Sequence, residues 1–145
     1  MKTLIALSFL FLFLSCEKTT STTDSIQVIN ESERTLVVEY TTENNVLERD
    51  TLTPTNITGQ FAVKQYPTNK DKLNNKELSA IINRLKIYLL NGTETTALPE
   101  SLYNSPDKWE YALTIDMSDK WNIYYFVVSA DMVGSTGGTT GPLSN

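Results

Sequence analysis

Short runs in which apolar and polar residues alternate make up most of the chain, and this pattern is typical of β-strands with one buried face. Ile26 and Val28 share a face in the first run. After the polar stretch 30–34, Leu36, Val38 and Tyr40 share a face in the second. We therefore expect these two runs to pair as a β-hairpin.

The middle of the chain predicts two more strands, a helix and a tight turn. The runs 46–52 and 57–66 are strand candidates, and Gly59 inside the second predicts a bulge or bend. Across 74–85 the apolar spacing becomes helical, and Asn74 and Glu77 stand three residues apart like a capping box. Asn91-Gly92 then predicts a hairpin with a type I′ turn.

Two late strands complete the expected fold. Residues 109–116 alternate strictly, whereas both faces of 121–128 are apolar, so the latter predicts a central strand covered on both sides. The glycine-rich stretch 134–145 is expected to be a disordered tail. We predict a mainly β protein with a single β-sandwich over 25–133, immunoglobulin-like or transthyretin-like, with seven or eight strands and one short helix.

The first fifteen residues predict an export signal rather than a part of the fold. Lys2 precedes an uncharged, mostly apolar run of 11 residues from Leu4 to Leu14. At ~1.5 Å per helical residue this run covers only about half of a ~30 Å hydrocarbon core. A basic start, a short apolar run and a small residue before a cleavage point are the parts of a secretory signal peptide, predicted here at 1–15.

The sequence Phe13-Leu14-Ser15-Cys16 resembles the lipobox of bacterial lipoproteins, although Phe13 stands where leucine is usual. The resemblance implies that Cys16 becomes the lipid-carrying first residue, attached to a membrane. The alternative is a core segment followed by an incidental cysteine. Residues 16–24 are expected to form a flexible tether, in which 17–24 span up to about 26 Å when extended.

Composition excludes several kinds of chemistry. The chain has no histidine and one cysteine, which removes Ser-His-Asp catalysis, imidazole bases and thiolate zinc sites. Without Lys2, the chain has 11 basic and 17 acidic residues and therefore a net charge of −6. Its basic residues do not form the stripe that nucleic-acid binding requires, so we expect no nucleic-acid partner. No phosphate-binding or dinucleotide motif occurs. We expect no cofactor, no metal and no catalytic residue.

Two groups of residues keep other functions open. Carboxylates could still support hydrolysis by a pair ~5–10 Å apart, with Glu110, Asp116, Asp119 and Asp131 as candidates. We nevertheless expect a non-enzyme, because a sandwich of this size seldom has a deep cleft. The aromatic residues of 109–126 would either fill the core or, if exposed, bind glycans by stacking.

At 86–88, 103–111 and 124–128 the chain looks like the small uncharacterised lipoproteins of Bacteroidota. The resemblance implies a compact β domain attached to the bacterial cell envelope. We expect this domain to be anchored in the outer membrane. The sequence does not decide which leaflet carries it. The leading hypothesis is a non-catalytic binding or structural module for an envelope protein. Glycan binding is the alternative, and a carboxylate-only hydrolase is a third hypothesis.

Overall fold

Two four-stranded sheets form the domain in the computed structural model, which describes residues 21–68, 70–116 and 119–134. The first sheet has the order β4-β1-β8-β7 and the second the order β3-β2-β5-β6. The predicted β-sandwich is therefore confirmed. The predicted signal peptide 1–15, Cys16 and residues 135–145 of the predicted tail lie outside the described residues. Gly134, predicted as the start of the disordered tail, is instead the last residue of a short helix. The strands are β1 (Thr22–Glu31), β2 (Leu36–Thr41), β3 (Leu47–Leu52), β4 (Thr58–Tyr66), β5 (Leu85–Asn91), β6 (Glu94–Ala97), β7 (Glu110–Asp116) and β8 (Asp119–Ser129).

The core lies between the two sheets, where alternate residues of β1, β2, β5 and β8 are buried. Burying large apolar side chains contributes about 1.5–3 kcal/mol each relative to leaving them exposed. The residues at the centre of the core are Ile26, Val28, Leu36, Val38, Leu52, Ile82, Leu85, Ile87, Tyr124, Phe126 and Val128.

The folded domain begins earlier than predicted, because β1 starts at Thr22 and not after Asp24. Thr22, Thr23 and Asp24 are buried, and β1 pairs in parallel with β8 from Thr22 onward. The prediction that the tether extends to residue 24 is therefore wrong. The Thr22 hydroxyl accepts a hydrogen bond from the Lys70 amide, and the Asp24 carboxylate accepts one from the Asn122 side chain. These polar side chains can therefore be buried, because they have hydrogen-bond partners inside the protein.

The first two strands do not form the predicted hairpin, since β1 and β2 lie in different sheets. The buried Asn30 holds the crossing: its Nδ2 donates to the carbonyls of Arg34 at 2.6 Å and Leu52 at 3.2 Å. Its Oδ1 accepts from the amide of Ser32 at 3.1 Å. The order thus differs from the immunoglobulin arrangement, in which the first two strands share a sheet.

A bulge interrupts β4, but not at Gly59. Ala62 and Val63 together stand opposite a single residue of β1, and Ala62 has a φ of 50°. At Gly59 a Cβ atom would lie 2.8 Å from the ring of Phe61, so the glycine makes room for that ring. The predicted bulge is confirmed for the strand, with its position three residues later.

The helix and the Asn91 hairpin appear as predicted, with one difference in the turn. α1 covers Asn75–Ile82, and Asn74 and Glu77 form the reciprocal capping box. β5 and β6 pair with Asn91 opposite Glu94, so the central turn residues are Gly92 and Thr93. Only Gly92 has positive φ, at 63°, as in a type II′ turn and not type I′.

The described part of the chain ends with the longest strand, β8, followed by a short helix, α2 (Ala130–Gly134). β8 is central, as predicted, because it lies between β1 and β7. Only its inner face is buried, and the outer residues Trp121 and Tyr125 are half-buried. The prediction that both faces of this strand are covered is therefore wrong, because the outer face is only partly buried.

Candidate functional site

A cleft opens where the end of β4, the β2–β3 turn and α1 meet. It consists of two adjoining hollows of about 350 Å³ each. We call this end of the sandwich the Thr22 end, because β1 begins there and Thr22 pairs with Tyr66 of β4. The floor of the cleft is apolar and is formed by Ile26, Tyr40, Ala62, Leu73 and Ile81.

Charged side chains of both signs surround that floor. The cations are Lys64, Lys70 and Arg84, and the acidic residues are Asp24, Glu43, Glu48 and Glu77. They come from four separate segments, so the mixture results from the fold and not from one charged run of sequence. Seven charged groups around an apolar floor make the cleft more polar than an ordinary small-molecule pocket, and such a lining suits a ligand that carries charges of its own.

A buried polar network fixes the inner wall of the cleft. Asp24 is 3% exposed, and its Oδ1 accepts from the Asn122 amide at 2.8 Å. Asn122 in turn accepts from the hydroxyl of Tyr111 at 2.9 Å. No buried side-chain nitrogen or oxygen of the described residues lacks a hydrogen-bond partner. The wall is therefore a satisfied network, which makes it rigid.

Lys70 links this network to the rim. Its Nζ lies 3.5 Å from the Asp24 carboxylate, donates to the Tyr66 hydroxyl at 3.0 Å and sits 4.2 Å from the centre of the Tyr66 ring. Burial acts to lower the pKa of Lys70, but the Tyr66 hydroxyl and the charges of Asp24 and Glu77 outweigh it and raise that pKa overall. Lys70 thus remains a cation at neutral pH.

The segment before α1 is fastened across the inner face of the first sheet. The amide of Leu73 donates to the hydroxyl of the buried Tyr124 at 2.6 Å. Burial raises the pKa of Tyr124 to about 12. The amide of Lys70 donates to Thr22 Oγ1 at 2.9 Å, and Lys120 Nζ donates to the Lys70 carbonyl at 3.0 Å. These bonds position the cleft against β1 and β8.

Among the acids predicted from the sequence, Asp116 stands opposite Asp119 where β7 and β8 meet, whereas Glu110 lies far from Asp119. Glu110, Asp119 and Asp131 do not line this cleft. Glu110 accepts from the Tyr125 hydroxyl near one end of β7, whereas Asp119 accepts from Ser21 at the Thr22 end. Their positions along β8 differ by six residues, or about 20 Å at ~3.4 Å per residue. That exceeds the ~5–10 Å spacing of paired glycosidase carboxylates. Asp131 lies in α2, and the side chain of Asp116 is outside the described part.

The aromatic residues are placed mainly as core. Trp109, Tyr124 and Phe126 are buried, and Trp109 packs against Phe126 with ring centres 5.6 Å apart. Trp121 and Tyr125 are half-buried, which leaves Tyr111 as the exposed ring, at 40%. The expectation of core packing is therefore confirmed for the buried three.

Sequence reasoning missed Asp24 and Lys70 as site residues. Asp24 falls within the predicted tether 16–24, and no role was predicted for Lys70. The threonine-rich approach to Asp24 has β-propensity, which is the one local signal that could have placed it in a strand. Lys70 has no comparable signal, because its neighbours in the fold are 46 or more residues away except for Tyr66 and Glu77.

Comparisons with known proteins give no match: no family model, no curated protein and no solved structure is detectably similar to the chain. Within the described ranges, no helix is long and apolar enough to cross a membrane. In the same residues, no three acidic, histidine or cysteine side chains are grouped closely enough to hold a metal ion.

Proposed function

We propose that the protein is a lipid-anchored lipoprotein of the bacterial envelope, expected in the outer membrane, whose sandwich domain is a non-catalytic binding module. The lipobox-like sequence ending at Cys16 supports the anchor. The mixed-charge cleft is the observation that supports binding. Because Glu110, Asp119 and Asp131 do not line the cleft, a carboxylate-only hydrolase has less support.

The cleft fits an extended polypeptide segment of another envelope protein. Its apolar floor would accept an aliphatic side chain, while Lys64, Arg84 and Glu43 would pair with charged side chains on either side. Pairing of both signs gives specificity more than affinity, since rim charges remain solvated. A glycan partner has less support, because Tyr111 already has the Lys72 ammonium 5.4 Å from its ring centre.

Metabolic labelling with palmitate tests the anchor. We expect the wild-type protein to incorporate label and to fractionate with membranes, and Cys16→Ala to do neither while remaining folded. The matched control is Ser21→Ala, which keeps the cysteine. A wild-type protein that carries no acyl group would contradict this part of the proposal.

Cross-linking in intact envelopes tests the cleft. We expect Lys64→Glu to abolish the cross-linked protein product, and Lys86→Glu to preserve it, because Lys86 is also exposed but lies outside the cleft. Equal products from both variants would exclude the cleft as the binding site. Glycan binding by the purified domain without any protein product would favour the alternative.

A further inference from the structure

Several exposed apolar side chains of the domain lie at the Thr22 end. Seven large apolar side chains are exposed among the described residues. Three of them lie at this end, Val46, Leu47 and Ile115, while Val63 and Leu113 lie two to three residues further along their strands. Val46 precedes β3, Leu47 is its first residue, and Ile115 is 67% exposed near the end of β7. Single exposed apolar residues need no explanation, but their collection at one end marks a contact surface.

The chain leaves the domain toward Cys16 at this same end. Ser21 Oγ donates to the Asp119 carboxylate at 2.6 Å, and the Lys120 amide donates to the Ser21 carbonyl at 2.9 Å. Ser21 is thereby fixed beside the β7–β8 turn. Five residue steps separate it from Cys16, which is about 17 Å when fully extended. A lipid on Cys16 therefore has little reach away from the Thr22 end.

From the exposed residues and this short connection we infer that the Thr22 end rests on the lipid bilayer, with Val46, Leu47 and Ile115 in the headgroup region. The inference depends on the proposed lipidation of Cys16. Apolar side chains at a membrane-facing end gain by leaving water, and a lipid anchor makes a weak contact persistent by holding it close.

The charges at this end indicate an apolar rather than an electrostatic contact. The described charges at this end nearly balance, so those residues form no cationic patch that would attract acidic lipids: the cations are Lys64, Lys70, Arg84 and Lys120, and the acids are Asp24, Glu43, Glu48, Glu77 and Asp119. We therefore expect contact with the bilayer to depend little on salt concentration. The cleft opens at the same end, so its ligand would be met close to the membrane surface.

Site-specific fluorescence tests the orientation. Because the lipid occupies the thiol of Cys16, an introduced cysteine is the only labelling site. We would purify lipidated Ile115→Cys and Ile57→Cys proteins, label each with bimane and incorporate them into phosphatidylethanolamine–phosphatidylglycerol vesicles. Ile57 is the matched control, since it is 42% exposed and its carbonyl accepts from the Asn30 amide at the opposite end.

We expect lipid-borne quenchers to act several-fold more strongly on the label at 115, and aqueous iodide to act more strongly on the label at 57. Val46→Cys, just before β3, should behave like Ile115→Cys and serves if that variant fails to fold. Equal iodide quenching at 115 and 57 in vesicle-bound protein would overturn the orientation but leave lipidation intact. Shielding of 115 from both quenchers would indicate a protein contact there and would also overturn it. If the N-terminal peptide carries no acyl mass, both proposals fail together.

Discussion

Removing a single oxygen atom from Tyr124 tests how the segment before α1 is held. Tyr124→Phe keeps the buried ring but deletes the hydroxyl that accepts from the Leu73 amide at 2.6 Å. Leu73 is 7% exposed, so its amide has poor access to water. Leaving a buried donor unsatisfied costs about 1–3 kcal/mol. At about 4 °C per kcal/mol for a domain of this size, Tm should fall by roughly 4–12 °C.

The neighbouring residue supplies the control. Tyr125 lies on the opposite face of β8, and its hydroxyl donates to Glu110 at 2.7 Å in an exposed position. Tyr125→Phe should change the free energy of unfolding by less than about 0.5 kcal/mol, since water replaces that bond. Urea unfolding monitored by circular dichroism, with equal m-values, measures both variants. Equal losses of unfolding free energy in the two variants would refute the reasoning, because the hydrogen bond to the Leu73 amide would then stabilise the fold no more than the exposed bond to Glu110.

Three further predictions follow from local geometry. Gly59→Ala should lower the free energy of unfolding by about 1–3 kcal/mol through overpacking, because the new Cβ would lie 2.8 Å from the Phe61 ring. Gly134→Ala is the control: its Cβ would have nothing within 4 Å, so the loss in the same urea assay should be less than about 0.5 kcal/mol. Asn74→Ala removes the capping box and should cost about 1 kcal/mol; no loss would mean that α1 is held by packing alone. Because burial raises the pKa of Tyr124 to about 12 from 10.0, stability should be unaffected by this group below pH 10 and fall between pH 10 and about 12 as the phenol ionises. Tyr124→Phe should make that fall smaller.

Elements that depend on neighbours in sequence were predictable. The capping box of α1 joins Asn74 to Glu77, three residues away, and a helix-period run follows it directly. The hairpin at Asn91 needs only two strands and a glycine between them. In both places the interactions that specify the structure join residues within about twelve positions of each other. The local sequence pattern is therefore enough to predict the helix and the hairpin.

Pairing between distant strands was not predictable. The alternation in β1 specifies which residues face the core, but it does not specify that β4 and β8 are the neighbours of β1. The hairpin expected between β1 and β2 fails because Asn30 forms a corner that sends the chain to the other sheet. A side chain that bonds the carbonyls of Arg34 and Leu52 has no signature in an alternating pattern.

The cleft was missed for the same reason, with a second cause at Asp24. The stretch preceding β1's apolar residues is polar, and polarity favours a tether when the partners are unknown. The partners are Asn122, which lies 98 residues away, and Lys70, which lies 46 residues away. Burial of a carboxylate follows from those partners together, so it could be recognised only after the sheets were in place.

The early start of β1 also changes how a membrane anchor would act on the fold. β1 is an interior strand that pairs with β8 along all ten of its residues and with β4 on its other side. A pull on Cys16 would therefore load both hydrogen-bond ladders along the strand axis, and many bonds would have to break together before β1 could slide. Attachment to an edge strand such as β7 would instead allow one ladder to open from its end. If Cys16 is lipidated as proposed, the tether joins the sandwich at a strand suited to bearing that force.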